Sequence, residues 1–145
     1  MTPGEALGDA VRADLDALLA AALGMAQQEL EHASAFEPFV LVTDARGALL
    51  GADIDRSQLG RHPESEELAE TAVAQLRGLS GLVRATALTL TTRLAKERRD
   101  AVEVRLDHRE GASLVVILPF TRPRFGGRTE YGDTVTYRGN HDIWP

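Results

Sequence analysis

The residues with most chemistry to offer are four histidines, a few paired carboxylates and a C-terminal run of arginines and aromatics. His32, His62, His108 and His141 are scattered, and no two lie between two and four residues apart. Metal sites built on one helix or strand usually draw two ligands from such close spacing. The chain has no cysteine, which excludes thiolate ligands, thiol nucleophiles and disulfides. The expectation is no metal and no cofactor. His108 shares a strand face with Val104 and Leu106 and reads as a strand-end residue rather than a ligand. His141 stands next to Asp142, a carboxylate able to orient its imidazole.

Asp53 and Asp55 flank Ile54 and point the same way if a strand continues through them. A divalent cation needs more oxygen ligands than two, and the pair leads into a loop, so turn formation is preferred. Glu103 and Asp107 share a strand face with Arg105 between them, which reads as an exposed salt-bridged face before it reads as a general acid and base. Ser34, Ser57, Ser65, Ser80 and Ser113 lack a G-x-S-x-G context. Gly126 and Gly127 do not join a strand to a helix as a phosphate loop does. No catalytic residue is assigned, and an enzyme is the less favoured reading.

Five of the seven aromatics, Phe120, Phe125, Tyr131, Tyr137 and Trp144, fall in the last 26 residues, interleaved with Arg122, Arg124, Arg128 and Arg138. Arginine beside aromatics suits stacked bases and phosphates. Yet Glu130, Asp133 and Asp142 nearly cancel those arginines, and the sequence pI is about 5.2. Nucleic-acid domains are strongly basic, so a tail packed over the open end of the core or across a dimer interface is the better reading. Its candidate residues are Phe120, Arg122, Arg124, Phe125, Tyr131, Tyr137 and Trp144.

The whole chain carries a net charge of −6, unevenly spread. Residues 1–80 hold 14 acids and 5 bases, residues 81–145 hold 8 acids and 11 bases. Of the 16 basic residues only Lys96 is lysine, which speaks of a GC-rich genome. The N-terminus is acidic where a signal peptide is basic, and no apolar run approaches the roughly 18 residues of a membrane helix. A soluble cytoplasmic protein without membrane contact is expected, and the missing cysteines suit that compartment.

The elements that position these groups follow from periodicity. Thr2, Pro3 and Glu5 form a helix start, and Leu7, Val11, Leu15, Leu18, Ala22 and Met25 follow helical spacing, with Arg12, Asp14, Asp16 and Gln27 on the wet side. Gly24 marks a plausible bend before the end at His32. Phe39–Thr43 and Ala48–Asp53 make a hairpin around Asp44-Ala45-Arg46-Gly47. Pro63 and Glu64, Glu66 and Glu67 open a second helix with Leu68, Ala72, Leu76 and Leu79 on its buried face. Three strands then run from Gly81 to Phe120; Ser113 to Phe120 is apolar on both faces, as a central strand is. Residues Arg128 to Tyr137 add a possible further strand.

The result is one α+β domain spanning 1–145: a mostly antiparallel sheet of five or six strands with two helices on one face, in the order α-β-β-α-β-β-β(-β). The opposite face then needs a cover, from the aromatic tail or from a second subunit.

That element order, with "FVLVTDARGALLGA" as strand, turn and strand, resembles the profilin-like group that includes PAS-type sensors and Roadblock dimers. "DAVEVRLDHREGASLVVILPF" followed by "EYGD" is similar to the C-terminal half of small bacterial proteins of unknown function. The first likeness implies a sensor with a ligand pocket between sheet and helices; the second implies no activity. The favoured function is a non-catalytic interaction or regulatory protein acting as a homodimer, and the alternative is a small-ligand sensor.

Overall fold

The structure is a computed structural model and describes residues 8–145. The expected helix start at Thr2, Pro3 and Glu5, and Leu7 of the apolar stripe, lie outside the described residues. Helix α1 spans Asp9–Leu30. It runs through Gly24 without interruption, so 22 residues give about 33 Å of helix at 1.5 Å each. Its buried stripe is Val11, Leu15, Leu18, Ala22, Ala26 and Leu30, whereas Met25 is exposed. The stripe advances by four residues at its end because 3.6 residues make a turn.

Strands β1 (Phe39–Asp44) and β2 (Leu49–Ala52) form the expected hairpin. Its turn is made by Asp44, whose Oδ1 accepts the N–H groups of Arg46 and Ala48 at 2.9 Å each, and by Gly47 with a left-handed φ of 93°. Helix α2 is Ser65–Gly78, and Glu67 Oε1 accepts the Glu64 N–H at its start. Three long strands follow: β3 (Val83–Leu94), β4 (Arg99–His108) and β5 (Ser113–Thr121). The final strand is present but split into β6 (Glu130–Tyr131) and β7 (Val135–Arg138). Phe120 pairs with Tyr131 but Ile117 with Val135, so one extra residue is inserted there and the ladder breaks. All strands pair antiparallel in the order β2-β1-β3-β4-β5-β6, with β7 also on β5. The fold class is α+β, as the element order indicates.

The helices do not share a face. Leu41, Ala85, Ala87, Val102, Val104, Leu106, Val116, Leu118 and Phe120 pack with α1, while Val40, Val42, Leu88 and Leu90 pack with α2. Alternate residues of a strand point to opposite sides, and β1 and β3 are apolar on both. The sequence reading considered only β5 as needing a second cover. In the structure β1 and β3 need one too, and α2 supplies it.

A bulge in β3 adjusts this packing. Thr43 pairs with Ala85 and Asp44 with Val83, which leaves Arg84 as the extra residue. Such an insertion re-aims its side chain. Val83 accordingly joins the α2 cluster and Arg84 reaches α1. The two sides also differ in extent. Helix α1 lies across β1, β3 and β4, while the shorter α2 leans chiefly on β3. Among the described residues, no helix is long and apolar enough to cross a membrane.

Candidate functional site

Two carboxylates, a half-buried Asp14 and a buried Asp107, mark the two sides of the sheet. On the α1 side, Asp14 Oδ1 accepts from Arg84 at 2.8 Å and Oδ2 pairs with His108 Nε2 at 2.9 Å. Asp14 was expected on the wet face of its helix; its side chain is only 12% exposed. The reason is visible in the spacing, since position 14 lies three residues after Val11 and four before Leu18 and so flanks the buried stripe. His108 Nδ1 accepts the Glu110 N–H at 3.2 Å, so Nε2 carries the proton and donates it to Asp14. Burial works to raise the Asp14 carboxyl, but the Arg84 and His108 hydrogen bonds outweigh it and hold the group below its usual 3.8. With both ring nitrogens engaged and the side chain 2% exposed, His108 has no lone pair to offer a substrate. The triad is a structural clamp between α1, β3 and β4.

On the α2 side a cavity of about 390 Å³ lies between α2, the sheet and the last residues of the chain. Its apolar wall includes Val73 and Leu76 of α2, Leu88 of β3, Val115 of β5 and Ile143. Its charged wall has Glu66, Glu103, Asp107 and Asp142 against Arg105 and Arg138. Arg105 is already committed, donating to Glu103 through Nε and to Glu66 through a terminal nitrogen at 3.2 Å. Burial disfavours its charge, but the two glutamates overcome that and keep its pKa above the usual value.

Residues 139–144 form a strap that closes one end of this cavity. Gly139 donates to the Ser113 carbonyl at 2.9 Å and fits so closely that a Cβ there would lie 2.3 Å from Ser113 Oγ. The His141 N–H donates to Ser113 Oγ at 3.1 Å, and Ile143 N–H to Asp107 Oδ2 at 2.8 Å. Arg77 Nε holds the Asp142 carbonyl at 2.6 Å, and Trp144 Nε1 the Ser80 carbonyl at 3.2 Å. His141 takes a left-handed φ of 53°, uncommon for a non-glycine residue.

Asp107 sits under that strap. The sequence placed it on an exposed face with Glu103 and Arg105; those two do pair, but the Asp107 side chain is 7% exposed. Its Oδ1 is buried with no hydrogen-bond partner, and the imidazole nitrogen His141 Nδ1 stands 3.6 Å away. Burial raises the carboxyl above its usual 3.8, against the opposing pull of the Ile143 N–H, of His141 and of the Trp144 and His108 N–H groups. His141 thus neighbours Asp107, not the adjacent Asp142 whose carbonyl faces Arg77.

The other sequence candidates are dispersed. Asp55 serves its loop, with Oδ1 accepting the Ser57 N–H at 3.0 Å, while Gln75 bridges the Asp53 carbonyl and the Asp55 N–H. His32 and His62 are exposed. Phe120 is 2% exposed within the α1 cluster, and Trp144 is half-buried against the α2 cluster. Arg122, Arg124, Phe125, Tyr131 and Tyr137 are exposed, Phe125 most of all at 92%. A second hollow of about 570 Å³ lies where residues 122–131 cross the end of α1, but every wall residue except Thr129 is exposed. It lacks the buried polar group that distinguishes the α2-side cavity.

Neither the protein-family models, nor the curated proteins, nor the solved structures contain a match to this chain.

Proposed function

We propose that this chain is a non-catalytic binding protein that takes a small molecule between α2, the sheet and the C-terminal strap, with a regulatory role. The observation that carries the reading is the α2-side cavity of about 390 Å³, whose lining mixes apolar residues such as Val73, Leu76, Leu88 and Ile143 with the charged Glu66, Glu103, Arg105 and Asp107. Small-molecule sites are concave, mostly apolar and furnished with a few placed polar groups. A binding role is favoured over catalysis because His108, the histidine hydrogen-bonded to a carboxylate, has both ring nitrogens occupied. The cysteine-free sequence suits a cytoplasmic setting.

The test is a two-dimensional amide NMR screen of the full chain against a fragment library. Binders are expected to shift Leu88, Val115 and Ile143, and Val73→Trp, which fills the cavity, is expected to abolish those shifts. Shifts confined to other surfaces, or unaffected by Val73→Trp, refute the reading.

A second reading, self-association, rests on β7. All four of its residues are exposed, including Val135 and Tyr137, and it pairs with β5 alone. An exposed strand edge is a template for another strand, and two antiparallel copies satisfy two-fold symmetry. A dimer at micromolar concentration in sedimentation equilibrium, weakened by Val135→Lys, is expected; a single-chain mass throughout contradicts it.

A further inference from the structure

We infer that the end of the sheet opposite the strap binds single-stranded nucleic acid, at a site separate from the α2-side cavity. The sheet register assembles it. Leu94 pairs with Arg99, Asp100 with Phe120, and Thr121 with Glu130. The β3–β4 turn and the loop from β5 to β6 therefore leave the sheet side by side. Residues 93–100 and 121–130 hold seven bases and three acids, whereas the rest of the chain holds nine bases and 19 acids.

The near-neutral charge of the tail hides this patch, because the fold divides the tail. Arg138 pairs with Leu114 at the far end of β5, and Asp142 lies in the strap with its carbonyl on Arg77. The basic end keeps Arg122, Arg124 and Arg128, joined by Lys96, Arg98 and Arg99 from the turn before β4 and its first residue. Among the described residues, none of these six side chains has an ion pair or a hydrogen-bond partner; Arg93, beside them, pairs with Asp100. Arg122, Arg128 and Tyr131 line the hollow of about 570 Å³ beside α1, where Glu31 is the single acid, and Arg99 lies against the neighbouring Gly132.

Like charges gathered without counter-charges cost Coulomb energy, and an anionic partner relieves that cost. Four adjacent strands at about 4.8 Å spread these cations over roughly 14 Å, more than a lone phosphate covers. Arginine forks fit phosphate oxygens through two donors at once. The exposed large apolar side chains of these segments are Phe125, 92% exposed, and Tyr131, both aromatic. Membrane attachment needs a broader apolar face. Rings set among arginines instead suit the stacking of unpaired bases. The negative charge of the whole chain does not forbid this, since salt screens exposed charges beyond about 8 Å.

The experiment is fluorescence anisotropy of the full chain with labelled oligothymidylate and oligouridylate of about twelve nucleotides, and with a duplex of equal length. At least one single strand is expected to bind, the DNA and RNA arms showing which, and at least about fivefold more tightly than the duplex. Between about 50 and about 200 mM salt its affinity should fall with a logarithmic slope near about −3, as roughly four phosphate contacts give. The triple variant Arg122→Gln, Arg124→Gln, Arg128→Gln should weaken binding at least about tenfold and flatten that slope by about 2. Phe125→Ala should weaken it about fivefold or more. Arg46→Gln with Arg109→Gln, at the opposite end of the sheet, should leave affinity within about twofold. All the substituted side chains are exposed, so each variant keeps the fold. The inference is overturned by no single-strand binding, by duplex binding as tight, or by indifference to the arginine triple variant. It is equally overturned if only phosphatidylserine vesicles bind, or if polyglutamate displaces the oligonucleotide while Phe125→Ala has no effect. None of these outcomes touches the cavity reading, which its own screen decides.

Discussion

On the α1 side of the sheet Asp14 receives a donor on each carboxylate oxygen, from Arg84 and from His108. On the α2 side Asp107 meets no side-chain cation within hydrogen-bond distance: the Ile143 N–H donates to Oδ2, the Trp144 and His108 N–H groups also favour the carboxylate, and Oδ1 is buried without a partner of hydrogen-bond geometry. The surroundings follow the same division. A 22-residue helix closes the first side with six buried positions, whereas a 14-residue helix and a six-residue strap share the second and leave a cavity. Both sides are built from the same strands, so the difference lies in what covers them. One side is organised for stability and the other keeps a polar cost that stability alone does not explain.

The largest expected effect separates the two cores. Leu18→Ala, at a site with no exposure under α1, should cost about 3–5 kcal/mol, and Leu88→Ala in the cavity wall nearer about 2 kcal/mol. Truncation beside existing empty space removes fewer contacts. Urea unfolding of the two variants checks the order, and equal losses would mean that the α2 side is packed as tightly as the α1 side.

Next in size is the strap. Gly139→Ala places a methyl against Ser113 Oγ and the Leu114 backbone and should cost about 1–3 kcal/mol. Because the strap closes the cavity, the same variant should raise hydrogen exchange at Ile143 and Trp144 before the rest of the chain. Unchanged exchange there would show that the strap is fastened by its other bonds.

Smaller still is the surface. Arg93 and Asp100 form a pair at 3.1 Å with side chains 59% and 47% exposed. Arg93→Ala should alter stability by less than about 0.5 kcal/mol. A loss comparable with Leu88→Ala would mean that surface charge matters more to this fold than either core.

Much of this architecture was legible in the sequence because it is written in local periodicity. The alternation of Val102, Val104 and Leu106 with charged residues placed β4, and Asp44 with Gly47 placed the first hairpin. What could not be read was which residues meet across long separations. Asp107 looks solvated in its own strand, and only the return of Ile143, 36 residues later, buries it. His108 and Asp14 are 94 residues apart, and the β3 bulge that turns Arg84 toward them leaves no local signature. The helix faces were misassigned for a related reason: only Ser113 to Phe120 read as apolar on both sides, and the chain gives no local hint of which helix crosses to which side. Asp14 was placed on the wet side, although its spacing from Val11 and Leu18 sets it beside the buried stripe.

The contrast between the two carboxylates has opposite consequences with pH. Asp14 is held below 3.8, so its ionised form stabilises the folded state at neutral pH, and that contribution is lost as pH falls through its lowered value. Asp107 is raised above 3.8, so its contribution is present in acid and is lost as pH climbs through its raised value. Measuring the unfolding free energy of Asp14→Asn, Asp107→Asn and the unmutated protein by urea at pH 7 tests this directly. Asp14→Asn is expected to lose about 1–3 kcal/mol, since it strands Arg84 and His108. Asp107→Asn, which keeps an acceptor for Ile143 and sheds a buried charge, is expected to be as stable as the unmutated protein or more so. A larger loss for Asp107→Asn than for Asp14→Asn contradicts the division, and would make Asp107 a structural group like its counterpart across the sheet.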